Sequence, residues 1–308
     1  NVAKYQGFTK PTYILEHGFN SDQYYPIPKK LARKFYNISE KDFVIVNLNR
    51  NQPRKRWDLC IMAYVKFIAK HMNENIKLLI ATSMNGGWDL GELILSECRK
   101  YNITVQDFQK HIILLQNPQQ ITDFEINVMY NVGDVGINTC DGEGFGLCNF
   151  EQAGVGVAQI VPHIGGFKDF FVKNENAILI DPILSYYCDN ARDYVGGEPE
   201  ICSPNDFANA LEYYYNNRDV LIKHGDSARK HILHNYKWKN MGKKLYDVVS
   251  KEYDVLKTKM KCIEESTEDI TLKTIDINDL IQPSKTDEKV EVIIGGEKSN
   301  DAASPETI

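Results

Sequence analysis

Long apolar runs and clustered cysteines are both missing from this sequence of 308 residues. No apolar stretch approaches the ~20 residues that a membrane-spanning helix needs. Residues 1–10 are polar and lack the apolar core of a signal peptide. These two absences predict a chain with no transmembrane segment and a cytoplasmic location.

The seven cysteines are scattered, and no two of them have Cys-x-x-Cys spacing. Structural zinc needs thiolate or imidazole ligands at short spacing, so the sequence indicates no metal site. An odd number of dispersed cysteines is typical of reduced thiols in a cytosolic protein. The cysteines are Cys60, Cys98, Cys140, Cys148, Cys188, Cys202 and Cys262.

A basic surface is missing as well, since the chain has a formal net charge of −6. The acidity is local: residues 263–308 contain twelve acidic and four basic side chains, and the remainder carries a net charge of +2. A nucleic-acid-binding domain would show a basic stripe with interleaved aromatic residues, and the sequence has none. Nucleic acid is therefore excluded as a partner. The acidic residues 261–308 are predicted to be largely disordered.

The body of the chain alternates short apolar runs with stretches of helical periodicity. Strands that alternate with helices favour a parallel sheet covered on both faces. The predicted fold class is therefore α/β, with a Rossmann-like parallel sheet and helices on both faces. Strands are predicted at 43–48, 76–81, 112–115, 135–139, 159–161 and 177–180, after an edge strand at 13–15. Helices are predicted at 57–72, 90–101, 123–131, 147–155, from Ser203 onward, and at 219–236 and 239–259.

A basic loop follows the first core strand, at residues 49–56. Its four basic side chains lie at a strand-to-helix turn, where parallel sheets bind ligands. An arginine such as Arg50 can grip two oxygens of a diphosphate, and Lys55 adds a point charge. Pro53 stiffens the loop so that the two can converge. The alternative is a solvated basic loop without a ligand.

A glycine-rich loop follows the fourth core strand and runs into a helix. Gly142, Gly144 and Gly146 let the backbone approach a ligand closely. Glu143 lies at the mouth of the loop, where a carboxylate could accept hydrogen bonds from sugar hydroxyls. Glu151 lies two helical turns further on and would suit a ribose diol.

Two common nucleotide motifs do not fit this loop. The dinucleotide-binding pattern places its glycines after the first strand, with an acidic residue about 20 positions on. The P-loop pattern needs a Gly-Lys-Ser/Thr sequence, which does not follow here. The glycine-rich loop alone leaves the nucleotide class open.

Several motifs in the same order resemble those of retaining glycosyltransferases of the family-four type, which have the two-domain GT-B fold. The Glu143 to Glu151 spacing matches the E-x7-E motif of that family, and Arg50 and Lys55 match its donor-diphosphate pair. The sequence from Asp134 to Asn138 and the Gly165–Gly166 pair complete the likeness. It covers residues 12–258 and is specific, and the basic loop is similar to that of glycosyltransferases from large DNA viruses.

The resemblance implies roles for particular residues. Glu143, Arg50 and Lys55 would be the catalytic residues, with Arg50 and Lys55 neutralising the donor diphosphate. Glu143 and the backbone of the glycine loop would hold the transferred sugar, and no metal or other cofactor is expected because fixed cations replace it. The implied donor-binding residues are Arg50, Lys55, Gln116, Asn117, Ile121, Gly144, Phe145, Gly146, Leu147 and Glu151.

The sequence also departs from the pattern of the family. Asp169 stands where a glutamate is usual after Gly165–Gly166. Residues 1–28 are predicted to be a remnant of the N-terminal domain with the interdomain linker, and that domain is otherwise absent. Residues 29–260 form the predicted nucleotide-sugar-binding domain. His17 at the interdomain turn is interpreted as structural, whereas His163 lies where it could touch the donor.

The resemblance implies a glycosyltransferase that moves a hexose from a nucleoside-diphosphate sugar, with GDP-mannose favoured, to a hydroxyl acceptor with retention. The acceptor, whether glycan, lipid or protein, is open. The alternative is a non-catalytic nucleotide-sugar-binding or partner module that needs a separate N-terminal domain. A GT-B epimerase or phosphorylase is a third interpretation, although no pyridoxal-binding lysine can be nominated.

Overall fold

The structure is a computed structural model that describes residues 7–115, 121–189 and 197–268. The strands are β1 Phe43–Asn47, β2 Ile76–Ile80, β3 Ile112–Leu114, β4 Val135–Ile137, β5 Ala158–Pro162, β6 Ile178–Ile180, β7 Pro182–Ser185 and β8 Glu200–Cys202. The α-helices are α1 Lys29–Phe35, α2 Trp57–Ile68, α3 Leu90–Lys100, α4 Val105–Phe108, α5 Asp123–Val132, α6 Leu147–Gly154, α7 Phe167–Phe170, α8 Pro204–Asn216, α9 Arg218–Asn235 and α10 Trp238–Glu268. Short 3₁₀ turns cover Pro53–Lys55 and Gln109–His111.

The first six strands form one parallel sheet in the order β3-β2-β1-β4-β5-β6. This order confirms the predicted α/β class with a Rossmann-like sheet. All five residues of β1 and of β5 are buried, as expected for strands that helices cover on both faces. Strands β7 and β8 form a separate antiparallel pair.

Hydrophobic clusters lie on both faces of the sheet. Helix α2 buries nine of its twelve residues, including Trp57, Tyr64 and Phe67, which confirms that these aromatic residues belong to the core. On the same face, α2 packs against α8. The apolar contacts hold the strand ends rigidly, and rigid strand ends position the loops that follow them.

Asp134, at the start of the motif that begins β4, has a structural role. Its carboxylate accepts hydrogen bonds from Arg33 and Lys29, both at 2.6 Å, and from the backbone N–H of Val44 at 2.7 Å. Because Val44 belongs to β1, this carboxylate ties the central strands β1 and β4 together at their amino ends.

The structure corrects one predicted strand and the end of the last predicted helix. Residues 13–15 do not form a strand: the segment is irregular, and the Ile14 side chain is 74% exposed. Its apolar residues are typical of an edge strand, but the segment does not pair with either edge strand of the described sheet. The last helix also continues to Glu268 rather than ending at 259.

Several short elements were absent from the sequence-based prediction, namely α1, α4, α7 and the β7–β8 pair. Each is too short for its periodicity to rise above the surrounding sequence. The chain divides into two compact units, Asn1–Lys251 and Glu252–Ile308. The predicted domain boundaries at 28 and 260 stay predictions, and residues 269–308 of the predicted disordered segment lie outside the described residues.

Candidate donor-binding site

The basic loop and the glycine-rich loop meet at the centre of the sheet. The basic loop leaves the carboxyl end of β1, and the glycine-rich loop leaves the carboxyl end of β4, its neighbour. The chain order reverses between these strands, since β2 and β3 lie on one side of β1 and β5 and β6 lie beyond β4. Open parallel sheets bind ligands in the crevice at such a reversal.

A direct ion pair joins the two loops. The Lys55 ammonium donates to the Glu143 carboxylate, and both side chains are about nine-tenths buried. The Arg54 guanidinium lies 3.7 Å from the same carboxylate and donates to the carbonyl of Gly142 at 3.2 Å. Two residues that the sequence predicted as catalytic are thus in contact, although 88 positions separate them.

Arg56 gives the basic loop its shape. It has left-handed backbone angles (φ 49°, ψ 52°) immediately before α2. Its guanidinium forms a bidentate pair with Asp58, at 2.9 and 2.6 Å, and lies 3.6 Å from the Asp141 carboxylate. Asp141 is 1% exposed and also accepts a hydrogen bond from the Tyr186 hydroxyl at 2.6 Å. This cluster anchors the basic loop to the glycine-rich loop.

The glycine-rich loop needs glycine at one of its own positions and at a neighbouring one. Gly146 has φ 92°, and a Cβ there would overlap the Phe167 ring. Gly165 has φ 46°, and a Cβ there would overlap the carbonyl of Glu143. By contrast, open space surrounds Gly142 and Gly144. The loop therefore packs on residues 165–167 from one side and is open beside Gly144.

A chain of buried amides supports both loops from below. Asn138 donates to Asn49 at 3.3 Å and to Asn149 at 2.8 Å, and Asn149 donates to Gln159 at 2.8 Å. Asn49 in turn donates to Asn47 at 2.8 Å. These side chains connect the carboxyl ends of β1 and β4 with α6. Because buried amides that are bonded to one another resist displacement, the loops rest on a fixed base.

Glu151 lies on α6, partly buried, and takes a hydrogen bond from the Tyr130 hydroxyl at 2.6 Å. Burial raises the pKa of the Glu151 carboxyl to about 7, and the Tyr130 hydrogen bond opposes this rise. The negative charge of Asp123 adds to the rise. The Glu151 carboxyl group therefore changes charge near neutral pH. Such perturbed pKa values cluster at functional sites.

Glu151→Gln is expected to stabilise the fold at pH 8 but not at pH 5. The pKa of Glu151 is higher in the folded chain than its ordinary value of 4.5, so the folded chain holds this proton more tightly. Stability is therefore lost as pH rises from about 4.5 through 7, and glutamine removes that loss. Allowing for partial exposure, we expect a gain of about 1–3 kcal/mol at pH 8, measured by urea unfolding. Equal effects at both pH values would contradict this origin.

Glu125→Gln provides a control with the opposite sign. Hydrogen bonds from the backbone and hydroxyl of Thr122 lower the pKa of Glu125. Its contribution to stability is therefore present above its ordinary pKa and lost on acidification, and the variant should lose stability at pH 8 relative to pH 3.

The other predicted donor-binding residues surround this centre. Arg50 has an exposed side chain that forms no ion pair with any described residue, and its carbonyl accepts from the Trp57 indole at 3.3 Å. Phe145 is half-buried against Phe150 and Phe170, and Leu147 is 42% exposed at the start of α6. Ile121 lies just before the Thr122 cap of α5. Gln116 and Asn117 lie outside the described residues.

The sequence matches the family described as Glycosyl transferases group 1 over residues 28–185, just over half of the chain. The chain belongs to this family. No curated protein matches the chain at a significant level.

Solved structures of GT-B glycosyltransferases share the fold of this chain. Sucrose-phosphate synthase from Thermosynechococcus elongatus is 17% identical, with a TM-score of 0.61 over 82% of this chain and 56% of that one. The C-terminal domain of the group 1 glycosyl transferase LpcC from Francisella tularensis is 17% identical, with a TM-score of 0.56 over 72% of this chain and 100% of that one. Anabaena HepE, solved with UDP and glucose, is 13% identical, with a TM-score of 0.58 over 77% of this chain and 56% of that one. The chain thus spans little more than half the length of the first and third of these proteins, and at these identities the likeness shows the fold alone.

Two histidines, His17 and His163, lie at or near the predicted site in the sequence. The His17 ring packs 4.8 Å from the Trp238 ring and 5.5 Å from the Phe145 ring, and its Nδ1 lies 2.8 Å from the carbonyl of Gly18. These contacts agree with the structural interpretation. His163 instead directs Nδ1 to Asp181 at 2.8 Å. Hydrogen bonds from Lys173 and His163 lower the pKa of that aspartate.

Arg54, Tyr130 and Asp141 belong to the site but were not predicted from the sequence. Arg54 lies in the basic loop with Arg50 and Lys55, which have family counterparts. This position in the sequence is the one feature that could have predicted its place in the site. Tyr130 and Asp141 reach the site through tertiary contacts that no local spacing reveals. Among the described residues no three His, Cys, Asp or Glu side chains are grouped to hold a metal, and no described helix is long and apolar enough to cross a bilayer.

Proposed function

We propose that this chain binds a nucleoside-diphosphate sugar and supplies the donor half of a retaining hexosyltransferase, with GDP-mannose as donor and a hydroxyl group as acceptor. The observation that carries the proposal is the contact between Lys55 and Glu143 at the point where the strand order reverses. In the proposal Lys55 serves the diphosphate and Glu143 the sugar hydroxyls, and their contact supports it by bringing the two groups side by side.

The charges of the site suit a diphosphate leaving group. Breaking the bond between the sugar carbon and the diphosphate oxygen leaves additional negative charge on the nucleoside diphosphate. Lys55 and Arg54 lie close enough to share Glu143, and Arg50 lies exposed in the same loop. Fixed cations next to developing negative charge stabilise the transition state without reorganising. In the proposal these side chains do the work for which other transferases use a divalent ion.

In this proposal Gly144 and Glu151 contact different parts of the donor. The open space beside Gly144 admits the sugar and the diphosphate next to backbone N–H groups at the start of α6. Glu151 lies about one turn into the same helix and accepts hydrogen bonds from the ribose. The base then lies toward Ile121 in this proposal, and Gln116 and Asn117 lie outside the described residues.

Calorimetric titration with GDP, UDP, GDP-mannose and UDP-glucose tests the donor site. We expect micromolar binding of GDP and GDP-mannose, and a loss on the order of tenfold in Arg50→Ala, since one charge-assisted contact is removed from an exposed side chain. Lys34→Ala, an exposed cation of α1, is the matched control and should bind as the wild type does.

Binding of UDP-sugars without GDP-sugars would contradict the proposed base but not the donor site. Failure to bind any of the four ligands would contradict the donor site itself. The cytoplasmic location and the similarity to viral enzymes stay predictions that these titrations do not address.

The second candidate is a nucleotide-sugar-binding module that needs a separate N-terminal domain to act. The chain spans 56% of sucrose-phosphate synthase and all of an isolated C-terminal domain. This coverage favours the module, because it corresponds to one domain of a two-domain enzyme. Release of free hexose from a bound sugar nucleotide by this chain would support catalysis within it. Tight binding without hydrolysis or transfer would favour the module.

A further inference from the structure

Tyr130 is bound to helix α6 at two points. Its hydroxyl donates to Glu151 Oε2 at 2.6 Å, and its carbonyl accepts from the Gln152 side chain at 3.3 Å. The side chain lies in α5 and is 2% exposed. Its ring makes an edge-on contact with Tyr24, with 5.5 Å between centroids. The hydroxyl therefore has a fixed position from which to orient the carboxylate.

The hydroxyl group is a permanent donor to that carboxylate. Burial raises the pKa of Tyr130 well above its ordinary value, so the proton stays on the phenol oxygen. Glu151 Oε2 is thereby engaged, whereas Oε1 accepts no hydrogen bond from any residue that the structure describes. A vicinal diol presents two O–H donors about 3 Å apart. The Glu151 carboxylate can accept both, because Oε1 is unbonded among the described residues and Oε2 can accept a second hydrogen bond.

We propose that Tyr130 is a positioning residue for ribose recognition: its hydroxyl fixes the Glu151 carboxylate so that Oε1 faces the 2′- and 3′-hydroxyls of the bound nucleoside diphosphate. The inference rests on the proposed function of the site. It adds a residue outside the motifs of the loops, and it predicts that ribose selectivity depends on a phenol group that does not itself touch the ligand.

The surroundings of Glu151 show why one hydroxyl matters. The ionisable groups that face it are Tyr130 and Asp123 of α5, Tyr24 before α1, and Cys148 on its own helix. None of these carries a positive charge. The Tyr130 hydrogen bond is therefore the main described contact that favours the ionised carboxylate against burial.

Tyr130→Phe tests the inference, because it removes one oxygen and keeps the ring that packs on Tyr24. The affinities of GDP and 2′-deoxy-GDP are measured by calorimetry for the wild type and the variant, each from pH 6 to 9. We expect Tyr130→Phe to bind GDP about five- to tenfold more weakly, in line with one charge-assisted hydrogen bond, and to weaken 2′-deoxy-GDP by a smaller factor, because that ligand keeps only the 3′-hydroxyl for Glu151. The ratio between the two ligands should therefore shrink.

The pH profile provides a readout that a purely structural role would not change. Without the hydroxyl the pKa of Glu151 rises further, so GDP binding should weaken at a higher pH on acidification than in the wild type. The shift should be about one pH unit, the size expected for losing such a bond. Carbon NMR of the labelled Glu151 carboxyl measures the same shift without a ligand.

Tyr24→Phe is the matched control, since its hydroxyl bonds to Gln23 and not to Glu151. It should keep the selectivity and pH midpoint of the wild type. If Tyr130→Phe loses affinity equally for both nucleotides, or keeps the wild-type pH midpoint, Tyr130 only packs and the inference is overturned. If the wild type binds no nucleotide, the proposed function fails and the inference falls with it. Binding of both nucleotides with an unchanged ratio overturns the inference alone.

Discussion

Lys55→Met is expected to weaken nucleoside-diphosphate binding on the order of 100-fold. Methionine keeps the length and apolar stem of the lysine but removes the ammonium that contacts Glu143. Because Lys55 is 7% exposed, its charge acts in a poorly hydrated setting, where a contact with a diphosphate contributes more than it would on the surface. A loss of roughly 2–3 kcal/mol corresponds to the expected factor. Calorimetric titration with GDP and UDP measures it.

Loss of the fold must be separated from loss of the ligand contact. Lys55→Met leaves Glu143 buried with Arg54, at 3.7 Å, as the one remaining cation within 4 Å among the described residues, so the single variant should also unfold more readily. Lys55→Met combined with Glu143→Gln removes both charges and should recover most of that stability in urea unfolding. Its nucleotide binding should stay weak.

Two further outcomes test the role of the charge. If the double variant binds GDP as the wild type does, Lys55 serves only to neutralise Glu143, and its role toward the diphosphate is refuted. Lys110→Met, which removes an exposed lysine paired with Asp107, is the control and should change nothing.

The architecture of the sheet was largely predictable because its strands are short, apolar and separated by helices with clear periodicity. β1 was predicted at 43–48 and observed at Phe43–Asn47, and the helix after it was correct at its start. Burial of a parallel strand on both faces forces a continuous apolar run, and that run is visible in a single sequence. The edge segment 13–15 shows the limit of this reasoning. Its apolar residues resemble a strand, yet pairing depends on a partner that local sequence does not specify.

The candidate site was predictable to a smaller degree. The two loops were identified by composition, and the order of strands explains why they meet. The contact between Lys55 and Glu143 joins residues 88 positions apart, and the residue after Lys55, Arg56, has a left-handed backbone. A non-glycine residue in that conformation is uncommon and leaves no mark in the spacing of the motif. The same holds for Tyr130, whose hydroxyl reaches Glu151 from a different helix.

The buried amides explain how one site can be built from distant segments. Asn49 belongs to the basic loop, Asn138 to the glycine-rich loop and Asn149 to α6. The two hydrogen bonds that Asn138 donates join these three segments, so a shift of one would leave a buried polar group unpaired in another. The basic loop and the glycine-rich loop are therefore fixed relative to one another before a ligand arrives. Such preorganisation lowers the entropy lost on binding.

Gly165→Ala is expected to lower the free energy of unfolding by about 2–4 kcal/mol and to abolish nucleotide binding. Alanine at φ 46° is strained by roughly 1–2 kcal/mol, and its Cβ would overlap the carbonyl of Glu143, which adds a packing cost. The adjacent N–H of Gly166 donates to that same carbonyl at 3.1 Å, so the clash would push the glycine-rich loop away from its support. Glu143 would then leave Lys55. Urea unfolding and GDP titration measure the two effects.

Gly144→Ala is the variant that separates packing from ligand binding. A Cβ at Gly144 would meet no described atom within 4 Å, and its φ is not positive, so stability should stay within about 0.5 kcal/mol of the wild type. Binding of the sugar nucleotide should nevertheless weaken, because the open space beside Gly144 is where the proposed donor lies. If Gly144→Ala binds GDP-mannose and UDP-glucose as the wild type does, the donor does not approach this loop. If Gly165→Ala is as stable as the wild type, the contact between the two glycine segments does not hold the loop, and the rigid base under the site has to be sought in the amides alone.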